Sequence, residues 1–233
     1  MKSAPAAMFL GSLIMGLMPF NISAQLGTEC STGNALAAWV SFPEEELLQQ
    51  SFPGAFRTDS VTLSIVTALG DTLVFTDTVF IDGICYFCSN KLKAFFPEHD
   101  YWVVEQNGYE WTDWLLINGS SGRIQRAFSE PVLSPDSRRF LCAYRDLRLG
   151  STLNGIQIWR IEQDSLIPEF SGSDVYWGPS EVEWETDSTV TFQMLDVDWD
   201  TWDVKVSTGR LKLSIEGCWT PENPVNWYSG NIL

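Results

Sequence analysis

The sequence predicts an all-β chain, a propeller-like array of antiparallel four-stranded repeats, three to four blades in number, behind one short N-terminal helix. Three observations lead there. Nearly every segment after Ser60 alternates apolar with polar residues and is rich in β-branched and aromatic types, the period of two that marks half-buried strands. Those segments are bounded by Gly, Asp, Asn, Ser or Pro, the residues that turns use. One hairpin type recurs four times, as "VTLSIVTALGDTLVF", "WLLINGSSGRIQRAF", "IQIWRIEQDSLIPEF" and "WDVKVSTGRLKLSI", with turns centred near Gly70, Ser121, Asp164 and Thr208. A second type turns near Glu98, Asp136 and Asp187. Two hairpins in every roughly 40 to 50 residues is the rhythm of a propeller blade. Three paired sets plus the hairpin at Val61 to Phe75 lie at the lower limit for a closed ring, so a β-sandwich is the alternative.

Taken in order, residues 1–24 carry Lys2, an apolar run from Ala6 to Met18, Pro19 and a small residue, Ala24, before a plausible cut. That order is the one a secretory signal peptide uses. The expected mature chain begins at Gln25 and is secreted or periplasmic, with no membrane anchor. Residues 25–60 form an N-terminal segment in which Pro43 followed by Glu44, Glu45 and Glu46 predicts a short helix, because proline fits a first turn and carboxylates suit its positive end. Residues 61–233 are the β-repeat domain.

At "PVLSPDSRRFLCAY" the chain resembles the Pro-Asp repeat of TolB-like and WD40-like β-propellers, in which a strand, an S-P-D-G turn and an apolar strand recur. Ser134, Pro135 and Asp136 match that turn, and Ser137 stands where glycine is usual. The following "GIQIWRI" is similar to the next strand of such a blade, and the resemblance runs mainly over residues 112–170. It implies a blade architecture. It implies little about function, because propellers host many.

The net charge of −16 argues against nucleic acid or an anionic membrane as partner, since both demand basic patches. Eleven tryptophans are the less usual feature. Five cysteines, Cys30, Cys85, Cys88, Cys142 and Cys218, leave one odd in an oxidising compartment. "CYFC" has the spacing of a redox pair but stands in strand-like surroundings, which favours structural cysteines.

The connections "EQNGYEWTDW", "RDLRLGSTLNG" and "DVDWDTWD" are expected on one rim, with "SDVYWGPSEVEW" beside them. That rim would show Tyr109, Trp111, Trp177, Trp199 and Trp202 among carboxylates, flat apolar faces beside hydrogen-bond acceptors. Trp114, Trp159 and Trp184 lie inside strand runs and are expected in the core. Asp196, Asp198 and Asp200 reproduce the start of a calcium loop, with Thr201 and Ser207 where its glycine and glutamate belong. Calcium is therefore a possible ligand, and no other cofactor is expected. His99, the sole histidine, is expected as an exposed turn residue without a triad. The expected function is a non-catalytic binding module for a glycan or protein ligand outside the cytoplasm. The alternative is a carbohydrate-active hydrolase using two rim carboxylates, which need roughly 5 to 10 Å between them.

Overall fold

The computed structural model describes residues 43–81, 85–108, 111–146, 154–163, 165–174, 177–198, 200–201 and 203–222. All belong to one compact unit, Trp39–Leu233; the other unit, Met1–Ala38, which holds the expected signal peptide, lies outside the described residues. The chain is mostly β. Among the described residues helix α1 (Pro43–Ser51) precedes sixteen strands: β1 (Ala55–Arg57), β2 (Thr62–Val66), β3 (Thr72–Thr76), β4 (Thr78–Ile81), β5 (Cys85–Phe96), β6 (Tyr101–Gly108), β7 (Trp111–Asn118), β8 (Ile124–Ala127), β9 (Val132–Leu133), β10 (Arg139–Tyr144), β11 (Asn154–Glu162), β12 (Ser165–Asp174), β13 (Trp177–Thr186), β14 (Thr189–Val197), β15 (Val204–Leu213) and β16 (Trp219–Pro221). They form four antiparallel meanders in chain order: β1–β3, β4–β8, β9–β12 and β13–β16. Only the third and fourth have the four strands expected of each repeat; the first has three and the second five.

Helix α1 forms where proline and three glutamates predict it. Its Glu45 is buried, accepts from Gln49 one turn on at 2.8 Å, and pairs with Arg57 Nε of β1 at 2.7 Å. Arg57 then donates to the Asn90 carbonyl at 2.5 Å, while Asp77 accepts from the Asn90 amide at 2.6 Å and Gln106 donates to the Asn90 side chain at 2.6 Å. This chain of bonds ties the helix to the first two sheets, with Arg57 Nη1 left at ion-pair range, 3.6 Å from Asp77. Asp77 is also the single residue between β3 and β4, so one extended segment passes from the first sheet to the second.

Three apolar layers lie between the sheets. The first joins Ala55, Leu63 and Ile65 of sheet one to Leu92, Trp102, Val104, Leu115 and Ile117 of sheet two, with Leu48 and Phe52 of the helical segment beside them. Phe95 stacks on Trp102 there, ring centroids 3.9 Å apart. The second layer takes the alternate residues of the same strands, Tyr101, Val103 and Leu116, against Phe140, Cys142 and Trp159 of sheet three. The third takes the alternate residues of sheet three, Leu141, Ile156 and Ile158, against Trp177, Val190, Phe192, Leu211 and Trp219 of sheet four. Period two thus divides each inner strand between two cores. Trp159 is buried as its strand position predicts, and Trp114 and Trp184 are partly buried against the cores.

Polar ties cross between sheets three and four. Glu169 on β12 accepts from Arg139 Nε at 2.7 Å and from the Trp219 indole at 3.0 Å, and Arg160 Nε lies 3.0 Å away. Trp184 Nε1 donates to the Val132 carbonyl at 3.2 Å.

One expected turn is absent. β15 runs unbroken through Thr208 and Gly209, paired with β14 along its whole length. Gly209 serves a close approach instead: a Cβ there would stand 2.3 Å from the Phe192 ring. The glycine that reads as a turn in the sequence is a slot for an aromatic ring. The Pro-Asp turn, by contrast, forms between β9 and β10. Ser134 Oγ donates to Asp136 at 2.6 Å and accepts from the Arg138 and Arg139 amides at 3.1 and 3.0 Å. Ser137 has φ 56°, the left-handed conformation that glycine adopts without penalty.

Ser137→Gly is therefore expected to stabilise the fold by about 1 kcal/mol, seen as a rise of about 2–4 °C in the thermal midpoint. A second expectation concerns pH. Burial pushes the Glu169 carboxyl up, but hydrogen bonds from Arg139 and Trp219 and the charges of Arg139 and Arg160 outweigh it and hold it below its ordinary 4.5. The folded state then keeps Glu169 ionised where the unfolded chain would protonate it, so this contribution is present above pH 4.5 and lost as pH falls through the lowered folded value. Glu169→Gln should flatten stability against pH in that acid window, measured by urea melts at successive pH values.

Candidate functional site

Antiparallel order sends successive connections to alternate ends. The β5–β6, β7–β8, β9–β10, β13–β14 and β15–β16 turns lie at one end; Phe96 packs on Phe140, centroids 4.9 Å apart, and the Ala68 amide donates to the Gly119 carbonyl at 2.8 Å, which align the sheets there. The β6–β7, β10–β11, β12–β13 and β14–β15 connections therefore lie at the other. Those are the four acidic or aromatic connections singled out in the sequence.

Trp111 opens β7 at that end and pairs with Gly108, the last residue of β6. Its indole packs against Gly108, where a Cβ would stand 2.0 Å from the ring. The absence of a side chain at 108 is what makes room for the ring. The side chain remains 38% exposed. On the same strand face Asp113 pairs with the well-exposed Arg126 at 2.8 Å, while on the opposite face Thr112 Oγ1 donates to Asn107 at 2.9 Å. The result is a partly exposed aromatic ring, backed by a glycine, on the same strand face as an ion pair.

Trp177 does not share that surface. It is 6% exposed and stacks toward Phe192, centroids 6.4 Å apart, inside the third core. Its place beside a turn suggested exposure, but as the first residue of β13 it faces inward across from sheet three. Gly178 beside it carries the Arg145 side chain, which would meet a Cβ at 2.5 Å. Tyr109, Trp199 and Trp202 lie outside the described residues, as do most of "RDLRLGSTLNG" and Val175 and Tyr176.

The three candidate calcium ligands are spread along the β14–β15 hairpin. Asp196 is exposed and paired in register with Lys205. Asp198 caps its own loop: its carboxylate accepts from the Asp200 and Thr201 amides at 3.0 and 3.2 Å, and its amide donates to the Asp203 carbonyl at 2.9 Å. This is an Asx-type turn, which occupies the carboxylate locally. Asp200 is exposed at the tip. Among the described residues no group of three or more His, Cys, Asp or Glu side chains converges as a metal site would require. The calcium expectation rests on the loop sequence alone.

"CYFC" falls within β5 rather than at a helix start. Burial, with the Asp77 and Asp113 charges, raises the Cys88 thiol, the opposite of what a redox nucleophile needs. Burial pushes Cys142 up to about 12, and it packs as an apolar residue of the second core. His99 is half-buried rather than exposed, its ring edge-on to Phe140 with centroids 6.4 Å apart. The feature that sequence reasoning passed over is the Gly108–Trp111 pair; a glycine three residues before a tryptophan at a hairpin is its only signal. Among the described residues no helix is long and apolar enough to cross a membrane. Comparison with known proteins finds no matching family, no similar curated protein and no similar solved structure.

Replacing Asp198 by Ala removes the carboxylate oxygen that accepts from two backbone amides and should cost about 1 kcal/mol, with faster hydrogen exchange at the Asp200 and Thr201 amides. Asp196→Asn, at a residue outside that turn, should leave both rates unchanged.

Proposed function

We propose that this chain is an exported, non-catalytic binding module whose four meanders act as blades of a propeller-like array, with its ligand face at the end bearing the β6–β7, β10–β11, β12–β13 and β14–β15 connections. The ligand is a glycan or a protein. One observation carries the reading: Trp111 packs on a glycine while staying 38% exposed, on the same strand face as the Asp113–Arg126 ion pair. Such a ring costs little to order on binding, because it is already positioned. Flat apolar area flanked by hydrogen-bonding groups suits the face of a sugar ring or an aromatic or aliphatic side chain of a partner. Exposed Asp200 and Asp203 add acceptors at the same end.

The hydrolase alternative draws no support from the described carboxylates. Asp59, Asp136, Glu169 and Glu185, the ones displaced from ordinary acidity, are all held down. A general acid needs the reverse.

A panel of neutral and acidic oligosaccharides, read as thermal shifts and then as binding isotherms, tests the reading, since a ligand that binds only the folded chain raises its midpoint. Trp111→Ala should weaken any binding sugar about 30-fold, the size of a hot-spot loss of ~2 kcal/mol, with the fold intact by circular dichroism. Binding that survives Trp111→Ala undiminished would refute this face as the site.

A further inference from the structure

Beyond the first core, toward the end that bears Trp111, the same face of the second sheet turns from apolar to polar. Register sets its residues in ranks across β5, β6 and β7. Leu92, Val104 and Leu115 form the last core rank; Asn90, Gln106 and Asp113 come next, and then Cys88, Gly108 and Trp111. Arg126 of β8 stands in register with Leu115 and reaches Asp113 at 2.8 Å.

The middle rank has a fixed hydrogen-bond polarity. Asp77, in ion-pair range of Arg57, only accepts, so the Asn90 side chain turns its NH2 group to it, at 3.0 Å. That leaves the Asn90 oxygen to accept from Gln106 Nε2 at 2.6 Å. Gln106 then has its own oxygen left over, with no partner among the described residues. Directly across on β7, the Asp113 oxygen not held by Arg126 is also without one among those residues. Opposed Cβ atoms in such a pair lie about 5 Å apart, so the two acceptors stand side by side. Trp111 is two residues along β7 from Asp113, about 7 Å, close to the width of one sugar ring.

The charges there are matched: Arg57 serves Glu45 and Asp77, and Arg126 serves Asp113. An arriving ammonium group would have to displace Arg126 from Asp113, and an arriving carboxylate would have to displace Asp113 from Arg126. An apolar side chain would cover two acceptors without pairing them, which forfeits their bonds to water. What fits is an uncharged group with one apolar face and two neighbouring hydrogen-bond donors. We infer that the ligand of the Trp111 face is a neutral glycan: a pyranose ring lies against the indole and donates from two adjacent hydroxyls to Gln106 and Asp113, one of which also accepts from Arg126. The inference rests on the reading of that face as a binding surface, and it narrows the ligand from glycan or protein to uncharged sugar. Arg57, Asp77 and Asn90 are positioning residues, because they set which way the Gln106 amide points without touching the sugar.

Titration calorimetry of the purified full chain tests it, with neutral oligosaccharides of glucose, mannose, galactose and xylose, with uronic-acid oligosaccharides, and with a lysine-rich peptide. The expected result is binding by a neutral set and by neither of the others below about 10 mM. Gln106→Met and Asp113→Ala should each weaken the sugar that binds about tenfold, with the parent circular dichroism. Coupling then separates contact from support. A monodeoxy analogue about tenfold weaker on the parent chain should bind Gln106→Met as well as the full sugar does, and a second analogue should do the same with Asp113→Ala. A purely structural role for either residue would lower both sugars alike. Preference for uronic acids or the peptide, lost in Trp111→Ala, would overturn the neutral sugar and leave the binding face standing. Deoxy analogues that lose equally on all three chains, or no neutral sugar bound below about 10 mM, would overturn it too. Sugar binding undiminished by Trp111→Ala would strike the face itself, and this inference with it.

Discussion

The constraint on which this architecture depends is that the strands of the second and third sheets must be apolar on both faces. In β6 the run Tyr101, Trp102, Val103 and Val104 is buried without interruption, its odd residues in one core and its even residues in another. β10 and β11 repeat the device with Phe140 and Trp159 on one side and Leu141, Ile156 and Ile158 on the other. A single large side chain of this kind stabilises by about 1.5–3 kcal/mol through burial. Three such layers hold four sheets together among the described residues. The end sheets need only one apolar face each, and their outer faces carry what is left: threonines and valines on the first, the Glu185, Arg210 and Glu222 ion pairs on the fourth.

Much of this was legible in the sequence, and the parts that were not have identifiable causes. Helix α1 follows from Pro43 and its glutamates, and the Pro-Asp turn forms with its serine, aspartate and left-handed Ser137 in place, because both are specified by residues within a few positions of each other. Thr208 and Gly209 misled because a glycine needed for contact with a ring on the neighbouring strand has the same local signature as one needed for a turn. The information lies in Phe192, on the neighbouring strand. Trp177 misled for a related reason: a strand's first residue can face either way, and here Phe192 and sheet three decide.

The site divides along the same line. That four connections share an end follows from counting antiparallel strands, which the sequence permits. That Trp111 packs on Gly108 does not, since it depends on register across a hairpin. Asp198 shows the converse hazard, an acidic motif with a ligand's spacing whose central carboxylate is spent on its own backbone.

Asp77, the lone residue between β3 and β4, has a mechanical meaning. The meanders follow one another without any strand returning to an earlier sheet, so tension along the chain meets them in series. Each sheet would yield as its own layer gives way. At Asp77, however, there is no slack: the first sheet cannot be drawn off the second without also pulling the Asn90 bonds of Asp77 and Arg57, which makes that seam a stiff link.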